Sequence, residues 1–206
     1  LTNEMRGLLQ EYGIVIPQGR TQVRKHLVVI LEDAENELTP GSREIFADLL
    51  DELKVLDEQI KRYDKRVYGI SRNHEVCQRI EKIEGVGPTT STIIVASVPD
   101  PLVFKNGRAF SAWLGLVPRH SGTGGKTHLG KISKRGNVYI RSLLIHGARS
   151  ALLMNQETRK SRWARNLLER KGNQKASVAL ANKTARIIWA LMAKKEEYNK
   201  DYRMAA

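Results

Sequence analysis

Apolar residues recur at steps of three and four through most of this chain, and strict alternation is scarce, so the pattern predicts a mainly α protein. Leu1, Met5, Leu8, Leu9 and Tyr12 mark a first helix that stops at Gly13, and 14–19 reads as an extended connector. Val23, Leu27, Ile30, Leu31, Ala34 and Leu38 mark a second, closed by Thr39-Pro40-Gly41. The strongest periodicity follows: Phe46, Leu49, Leu53, Leu56, Ile60, Tyr63, Val67 and Ile70 form a heptad seam between charged flanks. Such a seam serves either an amphipathic helix packed on its own domain or a coiled-coil arm. The narrow stripe and the charge of 51–58 and 61–66 favour the arm.

Residues 79–96 run from an apolar approach through Gly85-Val86-Gly87 and Pro88 into a helix of small residues, the pattern of a helix-hairpin-helix. Glycines let a backbone come close, and amides at a helix start can hold a phosphate, so Gly85 and Gly87 are candidate DNA-backbone contacts. A plain structural corner is the alternative. Further on, 108–116 predicts a short helix with Phe104, Phe110, Trp113 and Leu114 turned inward, and 118–136 predicts a loop with a strand near 130–133. Two more helices carry Ile140, Leu143, Leu144, Gly147, Ala148 and Ala151, then Val178, Ala181, Asn182, Ala185, Ile188, Trp189 and Met192. The aromatics read as core. The expected organisation is connector helices over 1–41, a helical or coiled-coil arm over 42–78 and a compact, basic helical domain over 79–206.

Charge divides the chain more sharply than hydropathy does. Residues 1–100 hold 13 basic and 17 acidic side chains, net −4, whereas 101–206 hold 22 and 5, net +17, giving +13 over 206 residues. A field of that sign attracts a polyanion, so the second half predicts a nucleic-acid surface. The 41% hydrophobic content suffices for a real core. No apolar run approaches the roughly 18 residues that span a bilayer, so no membrane partner is expected. Cys77 is the single cysteine, which excludes an internal disulfide framework and suits a reducing cytoplasm. The five histidines show no metal-ligand spacing.

Candidate chemistry concentrates in Pro118-Arg-His-Ser-Gly-Thr-Gly-Gly-Lys126 and Gly130-Lys-Ile-Ser-Lys-Arg-Gly-Asn137. The Gly125-Lys126-Thr127 end suggests a nucleotide-binding loop, but that motif needs a glycine where His120 stands. What the stretch offers is two hydroxyls, Ser121 and Thr123. Arg119, Lys126, Lys131, Lys134 and Arg135 are nearby to offset charge on a phosphorane, and His120 and His128 are the local bases. The same hydroxyls also suit turn formers.

At these residues, with Phe104, Phe110, Trp113-Leu-Gly-Leu-Val-Pro118 and Tyr139-Ile-Arg-Ser-Leu-Leu-Ile-His-Gly-Ala-Arg149, the chain resembles the C-terminal transposase domain of the insertion-sequence one-ten family, in particular its eleven-eleven subgroup. The resemblance is dense over about 80–150. The opening to Pro17 resembles the connector that follows the family's RuvC-like domain, and the heptads resemble its coiled coil. It implies site-specific DNA recombination by a dimer or tetramer, guided by a bridging RNA. It also implies a serine that links covalently to DNA and four acidic Mg²⁺ ligands in a RuvC-like domain ahead of Leu1. No metal or other cofactor is then expected within this fragment, which would be inactive alone, and the parent would be cytoplasmic, on the nucleoid. The family's serine stands directly before Gly-Gly-Lys; here Thr123 stands there and Ser121 lies two residues earlier, so both are candidate nucleophiles. Arg119, Lys134, Arg135 and Arg141 become candidate phosphate contacts. The alternative function is a non-catalytic helix-hairpin-helix module that binds nucleic acid and dimerises through its heptads.

Overall fold

The computed structural model describes residues 1–123, 126–154 and 159–199. Among them are nine α-helices and one two-stranded hairpin, so the protein is mainly α as its periodicity predicts. Two compact units divide the chain, Leu1–Arg66 and Val67–Ala206.

In the first unit, α1 (Thr2–Glu11), α2 (Arg20–Glu32) and the first part of α3 (Pro40–Asn73) share a core of Met5, Leu9, Val23, Leu27, Phe46, Leu50 and Leu53. Pro40 starts α3 without wasting a donor, and the Thr39 hydroxyl accepts from the Ser42 amide at 3.2 Å. Arg43 reaches back to the Leu31 carbonyl (3.0 Å) and the Asn36 amide oxygen (2.6 Å), serving an acceptor that the end of α2 leaves unpaired. Arg24 grips Asp57 with two nitrogens.

The boundary between the two units falls inside α3. The physical reason is the seam itself. Its Phe46 and Leu53 are sunk in the first unit's core, whereas Leu56, Ile60, Tyr63 and Ile70 remain 38%, 51%, 53% and 56% exposed.

The second unit winds α4 (Glu75–Glu81), α5 (Pro88–Ser97), a single 3₁₀ turn (Pro101–Val103), α6 (Gly107–Trp113), β1 (Pro118–Thr123), β2 (Lys126–Ile132), α7 (Val138–Leu153), α8 (Arg159–Lys171) and α9 (Asn173–Lys194). The last helix is the hub, packed by α4, α6, α7 and α8. Its Ala176, Ala181 and Ala185 are fully buried and let those neighbours come close, while Leu180 and Ile188 fill between Ile80, Ile94, Phe110, Leu114, Ile140 and Leu144. Phe104 meets Phe110 edge-on at 5.3 Å and Trp113 stacks on Phe110 at 5.9 Å, so these aromatics pack together.

The expected loop over 118–136 is instead largely the β1–β2 hairpin, with irregular backbone only over 133–136 on the described part of its second side. Glycine-rich, hydroxyl-rich segments have low strand propensity, and backbone pairing overrides it here. No helix among the described residues is long and apolar enough to cross a membrane.

Candidate nucleic-acid interface

The hairpin stands on a base in which two chain segments cross backbone to backbone. Gly115 and Gly136 both have left-handed dihedrals, φ +71° and +104°. A Cβ at Gly115 would run into the Arg135 carbonyl, and one at Gly136 into the Trp113 carbonyl. Ser133 then donates its amide to the Val117 carbonyl at 2.8 Å and Lys134 to that of Gly115 at 3.1 Å. Two side chains from below fix the same crossing: Arg141 of α7 donates to the Leu114 carbonyl at 3.1 Å, and Asn182 of α9 donates to the Leu116 carbonyl (3.1 Å) and the Ser111 hydroxyl (2.7 Å). Asn182 escaped the sequence reading as a site residue because it counted only as part of a helical stripe. The available signal was an amide among alanines on a core-facing helix.

Above this base the strands pair antiparallel, with Ser121 opposite His128, Thr123 opposite Lys126, and a bulge between Pro118 and His120. Residues directly opposite one another project to the same face, so the exposed Ser121 and the exposed His128 are cross-strand neighbours. His120, next to Ser121 in sequence, projects to the other face. Register thus separates two bases that sequence proximity could not. Arg119, Lys131, Lys134 and Arg135 are all exposed around the same hairpin, and Arg119 also donates to the Ser133 carbonyl at 3.2 Å. Gly124 and Gly125, and the side chains of Thr123 and Lys126, lie outside what the structure describes.

Two other candidate contacts sit against the protein's own backbone. Gly85 turns the α4–α5 corner at φ +83° against α7, where a Cβ would strike the Gly147 carbonyl, so close helix packing accounts for this glycine. Arg141 is 7% exposed and its guanidinium donates to the Leu114 carbonyl at the foot of the hairpin. Gly87 remains open, with nothing within 4 Å of an added Cβ, and its carbonyl starts α5 by accepting from the Ser91 amide at 2.9 Å.

Residues 77–164 match the family model described as Transposase IS116/IS110/IS902 family. Over those residues the chain is similar to this family's transposase domain. It is similar to the transposase for insertion sequence element IS1111A of Coxiella burnetii, with 44% identity over 200 residues, covering 96% of this chain and 55% of that protein. A probable family 20 transposase of Pseudomonas aeruginosa is 41% identical over 201 residues, covering 96% of this chain and 60% of its own length. The transposase for insertion sequence element IS1328 of Yersinia enterocolitica is 34% identical, with 97% and 59% covered. The chain spans just over half the length of these relatives.

Within the second unit, charge is also used internally. Lys160 of α8 and Glu84 at the α4–α5 corner are each 5% exposed and pair at 2.6 Å, and the Tyr198 hydroxyl donates to Glu84 at 2.9 Å. Burial pushes the Glu84 carboxyl up, but the Lys160 hydrogen bond and charge, with the Tyr198 hydroxyl, outweigh it and hold the group below its ordinary value. Burial, then the Glu84 hydrogen bond and charge, push the Tyr198 phenol well above its own. Arg79 is 8% exposed and pairs with Glu75. Among the described residues no three His, Cys, Asp or Glu come together as a metal would require.

Proposed function

We propose that this chain is the C-terminal part of a DNA transposase whose hairpin delivers a hydroxyl to a phosphodiester. The carrying observation is the pairing of an exposed Ser121 with His128 on a cationic hairpin. A serine hydroxyl is a weak nucleophile until a base takes its proton, and His128 lies on the face where that proton leaves. The Ser121 oxygen attacks phosphorus, one sugar oxygen departs, and the strand stays joined to the protein until the reverse attack by another strand end releases it. Arg119, Lys131, Lys134 and Arg135 draw the strand in and offset charge on the crowded phosphorus.

Thr123, which occupies the position before Gly-Gly-Lys, is the competing nucleophile. Its strand partner is Lys126 rather than a histidine, and this favours Ser121. Mg²⁺ belongs in this reading to a RuvC-like domain carried by the whole protein, and a guide RNA pairs with donor and target DNA. The open turns of the α3 seam, at Leu56, Ile60, Tyr63 and Ile70, are the surface through which copies assemble as a dimer or tetramer.

The test is an adduct assay. The whole protein, supplied with guide RNA and DNA, is expected to form a protein–DNA species that resists denaturation. Ser121→Ala abolishes it, His128→Ala slows it by about 10²- to 10⁴-fold, and Thr123→Ala leaves it. Loss with Thr123→Ala alone would transfer the role to Thr123, and no adduct in the wild type would leave the non-catalytic binding module.

A further inference from the structure

A cavity of about 580 Å³ opens in the second unit among the start of α6, α8, the second half of α9 and the segment after it. Its volume falls within the roughly 300–1,000 Å³ of ligand pockets. Trp163 supplies an aromatic wall and is 37% exposed. The cations on the rim include Arg108, Arg186 and Lys194. Their placement is built in: Asn106 caps α6 by accepting from the Ala109 amide at 3.0 Å, and Gly107 lies so close to α9 that an added Cβ would sit 3.1 Å from the Arg186 Cα. Gly107 thereby brings the start of α6, with Arg108, against the α9 backbone at Arg186; both residues line the cavity, and neither makes an ion pair among the described residues.

Two acids also line the cavity. Glu197 is taken by Lys82, with Arg79 at 3.8 Å, and Glu196 lies 3.9 Å from Lys194. The Lys160 ammonium on the wall is already neutralised by Glu84. What remains is an aromatic face beside two unpaired guanidinium groups, with Lys183 over the Trp163 ring at 4.5 Å. A flat, electron-rich ring joined to a phosphate satisfies that set, whereas a duplex, whose bases are stacked away, cannot enter.

We infer that this cavity receives one unpaired nucleotide of a nucleic-acid strand, its base against Trp163 and its phosphate between Arg108 and Arg186. The inference rests on the reading of this unit as a nucleic-acid binder and adds to it a single-strand site apart from the hairpin. DNA and RNA share the required chemistry.

The test measures affinities of the intact chain by fluorescence anisotropy for oligothymidylate and oligouridylate of about 12 nucleotides and for a blunt duplex. Trp163→Ala should weaken single-strand binding about 5- to 150-fold while leaving the duplex within about twofold, and Trp163→Phe should keep most of the affinity. Arg108→Ala should lower the salt slope on single strands by about one. The oligomer that loses more to Trp163→Ala identifies DNA or RNA as the source. Unchanged single-strand affinity in both Trp163→Ala and Arg108→Ala, with duplex still bound and salt-sensitive, overturns the cavity and leaves the nucleic-acid reading intact. Wild-type affinity that is absent or insensitive to salt for all three probes removes both.

Discussion

The contact between Gly85 and Gly147 makes a prediction that runs against helix propensity. Gly147 sits inside α7, where alanine is normally better than glycine by about 0.8–1 kcal/mol. A Cβ added there would lie 1.9 Å from the Gly85 carbonyl oxygen and 2.9 Å from its carbon. Both are backbone atoms of a corner held in the left-handed region, so no side chain can swing aside. The α4–α5 corner has to retreat by more than an ångström, against Ile83 and Val86 that anchor it in the core. Overpacking of this kind costs about 1–3 kcal/mol, and rigid backbone on both sides points to the upper end. Setting about 3 against the propensity gain of about 1 leaves Gly147→Ala destabilising by about 2 kcal/mol. For a chain of 206 residues this lowers the melting midpoint by about 4–8 °C. The control is Gly7→Ala in α1, where nothing lies within 4 Å of the new methyl and about 1 kcal/mol should be gained. Calorimetry of the two variants and the parent decides the matter. A Gly147→Ala transition at or above the parent's would refute the corner-to-helix contact and return Gly85 to the list of ligand-facing residues.

Two further predictions concern assembly and pH. Ile60→Asp with Ile70→Asp should shift the protein toward monomer in sedimentation with its melting transition little changed, whereas Leu53→Asp should unfold the first unit, because Leu53 is 5% exposed. An association state unaffected by the first pair would deny the seam its role. For the buried ion pair, Glu84 has its folded value depressed, so its contribution is present above the ordinary carboxylate value of about 4.3 and is lost as pH falls through the depressed one. Tyr198 is raised, so its contribution is complete below about 10 and fades as pH climbs beyond that toward the folded value. Glu84→Gln should cost about 3–5 kcal/mol by stranding Lys160, and Tyr198→Phe should flatten the alkaline limb in pH-dependent unfolding; an unaltered alkaline limb would remove the Tyr198 contact.

The helices were legible because three- and four-residue spacing records burial directly, and Gly13 marks a true break; the second helix, expected to run to Thr39-Pro40-Gly41, instead ends at Glu32, and Pro40 and Gly41 open α3. The seam was legible as a stripe, but not as a stripe half spent on a core, since Leu53 and Ile60 look alike in sequence and differ only in what α1 and α2 bring to them. The hairpin was read as loop because its pairing draws on backbone groups, and its residues advertise turns. Charge was the least legible at the level of single residues. Arg135 and Arg141 lie six apart in one basic stretch, yet one is exposed and the other feeds a buried carbonyl, a choice made by helix phase and by the carbonyl that Gly115 turns toward it. The glycines are ambiguous for a related reason: Gly85, Gly115 and Gly136 all serve close passage of protein backbone, which leaves the same sequence mark as close passage of phosphate.

Among the described residues the ribbon's two strands contact each other and no helix, and a lone two-stranded ribbon has little intrinsic rigidity in water. Arg141 and Asn182 cement the crossing at its foot, so the described strands are anchored from one end. Under the proposed reading, the Ser121 hydroxyl gains its alignment only once a strand is threaded, and a lone protein has no sharpened reagent to turn on the wrong bond.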